Sequence, residues 1–201
     1  VIGLVRLGNK SQLPNVLEAL DGIDWSKLST SQRIDLLRAY QLAFIRLGEP
    51  DTVSKARVGK RIDAWYPSKD RDTNAELCKL ISYLEVPGGV TKTLDLLAKA
   101  PTQGEQIEYA FDIRTVKSGW TPKQREEYFN WFHKAANFHG GNSFHGFLRN
   151  IRSEAIKWSL NDQERVAMKS ILDNVPTPKA PQFTFKNRPF VKKYTVDELV
   201  P

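Results

Sequence analysis

Cysteine is nearly absent from these 201 residues, Cys78 being the only one. One thiol cannot build an internal disulfide framework, a haem-attachment pair or a zinc cluster made mainly of thiolates. Cys78 lies in Ala75-Glu-Leu-Cys-Lys-Leu-Ile-Ser-Tyr-Leu84, beside the apolar positions of a helix, and is expected to be a small buried hydrophobe. Histidine is scarce too, at three residues. Long apolar runs are missing, and none approaches the roughly 18 residues needed to span a bilayer. The opening Val1-Ile-Gly-Leu-Val5 has no basic leader and no cleavage-site pattern, so it does not read as a signal peptide. Val-rich or Thr-rich alternating runs do not occur before residue 182, which argues against a mixed α/β fold.

What is present is helical periodicity up to about residue 173. Ser11-Gln-Leu-Pro14 opens a short helix with Leu13, Val16, Leu17 and Leu20 on one face, and Asp21-Gly22 ends it. Ser29 or Thr30 caps a longer helix through Leu36, Leu37, Tyr40, Phe44 and Leu47, stopped by Gly48 and Pro50. Asp51-Thr52 starts another that ends at Tyr66-Pro67, and these two are expected to form a helical hairpin. Thr73 or Asn74 is expected to cap the next, Pro87-Gly88-Gly89 breaks it, and a short helix carries Val90, Leu94 and Leu97. Thr102 opens a further helix, and Thr121-Pro122 places a cap and a first-turn proline ahead of Tyr128, Phe129 and Phe132.

The second helix of each expected pair begins near residues 51, 90 and 122, intervals of 39 and 32. Such spacing with paired helices fits an irregular HEAT-like or armadillo-like solenoid, with a non-repetitive bundle as the alternative. The fold class is therefore all-α, a helical-repeat domain over residues 1–173. An extended Pro-rich C-terminal arm over 174–201 leads towards a following domain. Val175-Pro-Thr-Pro-Lys-Ala-Pro181 cannot sustain a helix. Phe183, Phe185 and Phe190 are expected to pack the arm across helices, and Thr195-Val-Asp-Glu198 has the pattern of a capping box. A start without Met and a helix opening just before Pro201 suggest a segment of a longer protein.

The net charge of +7 favours anionic partners. The excess is dispersed apart from Lys186, Arg188, Lys192 and Lys193 in the arm. A basic HEAT-like nucleic-acid binder is the alternative function, and the less favoured one.

Only the histidines offer metal or acid–base chemistry. His133, His139 and His145 are six residues apart and share no helical face, and no nearby acid orients them. An enzyme built on His139 and His145 is the third hypothesis. No nucleophile elbow, His-Glu-x-x-His pattern or phosphate-binding loop occurs, so the chain gives no positive case for catalysis, and no metal or cofactor site is expected within it. The most distinctive stretch is the aromatic, di-glycine corner of residues 128–152. Its expected contact surface comprises Trp131, His139, Gly140, Gly141, Phe144, Arg149 and Arg152. Ser143 is expected to cap the helix that follows, and the amides there and at the two glycines to offer a cradle for an anion.

Several runs carry a family resemblance: Leu42-Ala-Phe-Ile-Arg-Leu-Gly48, Leu97-Ala-Lys-Ala-Pro-Thr-Gln103, Trp120-Thr-Pro-Lys-Gln-Arg125, Gly140-Gly-Asn-Ser-Phe-His-Gly-Phe-Leu-Arg-Asn-Ile-Arg152 and Arg188-Pro-Phe-Val-Lys-Lys-Tyr-Thr-Val-Asp-Glu-Leu-Val-Pro201. Together they resemble the helical region of large haem-binding proteins of planctomycete-type bacteria, described as membrane-bound dehydrogenases. The resemblance implies a propeller-like domain before the helices and a c-type cytochrome domain with Cys-x-x-Cys-His after them. This chain contains neither the haem-attachment motif nor dehydrogenase residues. The resemblance therefore implies a scaffold of a periplasmic or otherwise exported electron-transfer protein. It implies haem c in the adjacent domain rather than here, and the expected partners are the neighbouring domains of the same chain, or a separate protein.

Overall fold

The computed structural model describes residues 2–178 and 193–198. Eleven α-helices occur among the described residues, with no strand: α1 Ile2–Leu7, α2 Leu13–Asp21, α3 Thr30–Leu47, α4 Thr52–Asp63, α5 Arg71–Leu84, α6 Gly89–Lys99, α7 Gln103–Asp112, α8 Pro122–Ala135, α9 Phe144–Trp158, α10 Asp162–Ala167 and α11 Lys169–Asp173. The chain is all-α.

Side-chain caps set most of the starts. Ser29 with Gln32, Thr121 with Gln124 and Asn161 with Glu164 form reciprocal capping boxes at α3, α8 and α10. Asp51 and Thr102 cap α4 and α7 singly. Each such cap stabilises its helix by about 1 kcal/mol. Gly48 ends α3 at φ 99°, a backbone region that favours glycine.

Three starts differ from expectation. A 3-10 turn over Lys10–Gln12, capped by Asn9 rather than Ser11, precedes α2. Helix α5 begins at Arg71 because the Asp70 carboxylate accepts from the Thr73 amide at 2.7 Å and its hydroxyl at 2.6 Å. Asn74 instead closes the preceding turn, accepting from the Ser68 amide and donating to its carbonyl. Ser143 precedes α9 with helical dihedrals and makes no capping bond through its side chain.

The pairing of helices is also shifted by one. Helices α3 and α4 do not form the expected hairpin; the extensive contacts join α2 to α3, α4 to α5, and α6 to α7. The extended ψ of −174° at Gly48, followed by Pro50 and the Asp51 cap, turns the chain away from α3 and lays α4 against the later helix. Successive contacts then run from α3 to α5, from α5 to α7, and from the 3-10 turn after α7 (Ile113–Thr115) to α9. A second row joins α2 to α4 and α6 to α8. One cluster of buried apolar side chains runs through these rows from Val5 to Met168. Fully burying a Leu, Ile or Phe contributes about 1.5–3 kcal/mol, so this shared core ties the helices together. Cys78 belongs to it, fully buried as expected.

The short α10 and α11 fold back on the end, α11 contacting both α10 and α8. Val175–Pro178 then runs on without regular structure. Phe183, Phe185, Phe190, Lys186, Arg188 and Lys192 lie outside the described residues. At Thr195 the amide donates to Glu198 Oε2 at 3.0 Å, one arm of the expected box.

Candidate functional site

The aromatic corner is built by α8, the 136–143 loop and α9. Tyr128, Phe129, Trp131 and Phe132 are all buried, because α8 is covered by α6, α7, α9 and α11 together. Tyr128 sits edge-on to Phe129 and Phe132, with centroids 5.3 and 5.4 Å away, and its hydroxyl donates to the Ala110 carbonyl at 2.8 Å. Trp131, expected at a contact surface, is only 9% exposed, and its Nε1 donates to Gln106 Oε1 at 3.2 Å. Gln106 in turn donates to the Ala100 carbonyl at 2.8 Å. Trp131 is therefore a core residue. An indole N–H needs a partner when buried, and α7 supplies one that helical spacing on α8 alone does not reveal.

The loop is fastened by backbone rather than imidazole. Gln103 on α7 donates to the His139 carbonyl at 2.5 Å and accepts from its amide at 3.1 Å. The Phe144 ring sits directly over Gly140, where a β-carbon would collide with it, whereas Gly141 faces open space. His145 packs edge-on against Phe144. Phe147 is 43% exposed and leans on Phe111 with centroids 5.9 Å apart. His133 Nε2 is buried without a hydrogen-bond partner. No group of three or more His, Cys, Asp or Glu able to hold a metal occurs among the described residues.

The expected anion cradle is altered by the turn itself. The Phe144 amide donates to the Gly141 carbonyl at 2.9 Å, so it is occupied by the loop it closes. Arg149 and Arg152 do come together, lining a cavity of about 240 Å³ between α8, α9 and the Val175–Pro178 strap. Arg152 Nη2 donates to the Ile171 and Leu172 carbonyls at 3.3 and 2.8 Å, satisfying part of the C-terminus of α11. The structure thus brings His145, Arg149 and Arg152 to one cavity, leaves His139, Gly140 and Gly141 in the neighbouring loop with Phe144 at the first position of α9, and removes Trp131 to the core.

Three polar centres were not singled out by sequence. The first is Arg125 on α8, 2% exposed. Its Nε donates to Glu164 at 3.2 Å, Nη1 to the Ser159 hydroxyl at 2.9 Å, and Nη2 to the Ser159 and Lys117 carbonyls at 2.8 and 3.0 Å. Its guanidinium lies over Trp120, 4.5 Å from the ring centroid. Burial pushes its pKa below the ordinary arginine value, and Glu164 opposes the change. Its position three before Tyr128, four before Phe129 and seven before Phe132 was a readable signal, since that spacing places it on the apolar face.

A charged groove runs along α3, α5 and α7. Glu76, buried on α5, receives Arg38 at 3.1 Å and the Gln41 amide at 2.9 Å, both from α3. Lys79 lies between Glu76 and Glu108 at 3.5 and 3.6 Å, and Arg71 approaches Glu108 at 3.5 Å. Burial alone raises the Glu76 carboxyl, but Gln41, Lys79 and Arg38 together hold it below its ordinary value. The groove mixes acids with bases and is not a basic stripe.

The third centre is internal. Tyr66 and Thr93 share a hydrogen bond of 2.8 Å, Thr93 donates to the Gly89 carbonyl at 2.9 Å, and Cys78 Sγ lies 3.8 Å from the Thr93 hydroxyl. Burial pushes the Cys78 thiol well above its ordinary range, which disfavours the reactive thiolate. Nearby Asp112 has a buried Oδ2 without a hydrogen-bond partner. Burial pushes its carboxyl up to about 7, Glu108 adds to the rise, and Lys79, Cys78 and Arg114 act against it.

No protein-family model, curated protein or solved structure matches this chain.

Proposed function

We propose that this chain is a helical-repeat scaffold of the HEAT or armadillo kind, a non-catalytic segment that positions neighbouring domains of a larger exported haem-binding electron-transfer protein. The observation that carries the scaffold reading is the order of the contacts. Helices pair as α2–α3, α4–α5 and α6–α7, and the second members succeed one another through α3, α5 and α7 towards α9. The first helices of the pairs begin at residues 13, 52, 89 and 122, counting α8 as the next. Stacking of this sort suits two-helix units that bury their apolar faces only against their neighbours. The buried polar groups of Arg125, Glu76, Gln106 and Tyr128 are engaged in joining one helix or loop to another, which supports a structural role for them.

The electron-transfer part of the proposal rests on the family resemblance of the quoted runs. On that reading haem c is carried by the adjacent domain, the partners are the cytochrome module and other domains of the same chain, and the compartment is the periplasm or beyond. No helix among the described residues is long and apolar enough to cross a membrane.

Cross-linking mass spectrometry of the full-length protein, combined with its absorption spectrum, tests both parts. The expected result is a c-type haem spectrum in the full-length protein, with cross-links from lysines of residues 1–201 to the haem-bearing module. A full-length protein without haem overturns the electron-transfer part. Haem present without cross-links to these lysines overturns the positioning role.

A further inference from the structure

The cavity between α8, α9 and the Val175–Pro178 strap has apolar walls and a cationic rim. Phe132, Ala136 and Leu148, all buried, form the floor, and Val175, Pro176 and Pro178 close one side. Its volume of about 240 Å³ exceeds the ~150 Å³ of an apolar cavity able to take up benzene. The remaining walls are polar, with Arg149 and Arg152 as two cations from successive turns of α9 and with His145 and Ser153 beside them.

Neither Arg149 nor Arg152 makes an ion pair among the described residues, in contrast to Arg38, Arg71, Arg114, Arg125 and Arg165, which all do. Arg152 is only partly satisfied: Nη2 meets the Ile171 and Leu172 carbonyls, while its buried Nε has no partner. Burial lowers its pKa, with no acid offsetting that effect. Nor can the following stretch neutralise the pair, because residues 174–196 contain no Asp or Glu. A half-buried guanidinium with an orphan donor beside an apolar cavity is costly unless an acceptor arrives from outside.

From this combination we infer that the cavity binds a small monoanionic amphiphile: a carboxylate set against Arg149 and Arg152, with an apolar body over Phe132, Ala136 and Leu148. Arg is suited to the carboxylate end through its planar pair of donors. The apolar floor distinguishes this ligand class from inorganic anions, which gain nothing from Phe132 or Leu148.

Sodium octanoate is the probe, with octan-1-ol, octylammonium and inorganic phosphate as controls, followed by amide chemical-shift titration of the whole chain. Octanoate is expected to shift the amides of residues 145–152, Val175 and Thr177 saturably. The alcohol and phosphate should bind about tenfold or more weakly, and the cation not at all. Arg149→Gln, at an exposed position without structural bonds, should weaken octanoate by a similar factor while leaving the rest of the spectrum in place. Arg152→Gln is a second variant, with dispersion of the spectrum reporting whether α11 stays docked. Absence of saturable shifts, equal binding of octanol, phosphate binding as tightly as octanoate, or unchanged affinity in Arg149→Gln would each overturn the inference.

Discussion

Arg125 on α8 and Glu164 on α10 meet with Nε and Oε1 3.2 Å apart, and the same guanidinium also grips Ser159 and the Lys117 carbonyl. One side chain thus joins the loop before α8 to the junction of α9 and α10. Glu164 has a second role, accepting from the Asn161 amide at 2.9 Å in the capping box of α10. Removing the cation while leaving these acceptors buried is expected to destabilise the fold by about 3–5 kcal/mol. Arg125→Met should show this loss in urea unfolding, and Arg125→Lys should recover little of it because a point charge cannot serve four acceptors. Glu164→Gln, whose side chain is 30% exposed, keeps an acceptor but leaves the buried Arg125 cation without its counter-ion, and should cost roughly 1–3 kcal/mol. A Met variant within 1 kcal/mol of the parent would show that Arg125 is not the junction described here.

The local features of this chain are readable from its sequence, and the long-range ones are not. The existence and order of α2 to α9 were legible because cap residues and apolar periodicity act locally, as at Ser29, Asp51, Thr102 and Thr121, whereas the short α10 and α11 were not separately legible. Which helices pair was not legible, because Gly48 and Pro50 mark a turn without fixing the direction in which α4 leaves it. At the corner, Trp131 is a core residue rather than part of the expected contact surface, and its partner Gln106 lies 25 residues away, out of reach of any spacing argument on α8. Arg125 was within reach of a spacing argument. Glu76 was harder, since its burial depends on Arg38 and Gln41 of another helix.

The two adjacent glycines of the corner should respond differently to the same change. A β-carbon at Gly140 would run into the Phe144 ring, while one at Gly141 meets nothing within 4 Å. Gly140→Ala must therefore displace Phe144 and loosen the start of α9, with an expected loss of about 1–3 kcal/mol. Gly141→Ala should stay within about 0.5 kcal/mol of the parent. Thermal melts of the two variants, read together, make the comparison, and equal melting points would contradict the close packing of Phe144 on Gly140.

Nucleic-acid binding is expected to be weak despite the net charge of +7. In the groove between α3, α5 and α7 the basic Arg38, Arg71 and Lys79 are matched by Glu76 and Glu108. A protein that engages phosphates through many unpaired bases shows an affinity falling steeply with salt, by about 10³–10⁵ between 50 and 200 mM for 6–10 contacts. Fluorescence polarisation with a labelled duplex should show no such dependence. Tight binding at low salt that collapses over this range would restore the nucleic-acid reading.

Asp112 makes stability depend on pH in the opposite direction to the paired acids. Its carboxyl is pushed up to about 7 by burial, with Glu108 raising it further and Lys79, Cys78 and Arg114 pulling the other way. In the unfolded chain the same group titrates near 3.9. Between those values the folded state holds the proton and the unfolded state has lost it, so stability falls as pH rises from about 4 to about 7 and then levels. Glu76, Glu85 and Asp70, whose carboxyls are held low, contribute stability that is instead lost as pH falls. Their slope is common to parent and variant, so the difference between Asp112→Asn and the parent isolates Asp112. An asparagine cannot ionise, and the variant is expected to gain on the parent by up to roughly 4 kcal/mol between pH 4 and pH 8. Urea unfolding of both proteins across this range measures the gain. Parallel pH profiles would mean that the Asp112 carboxyl ionises in the folded state as easily as in water, and that its buried oxygen is reached by solvent.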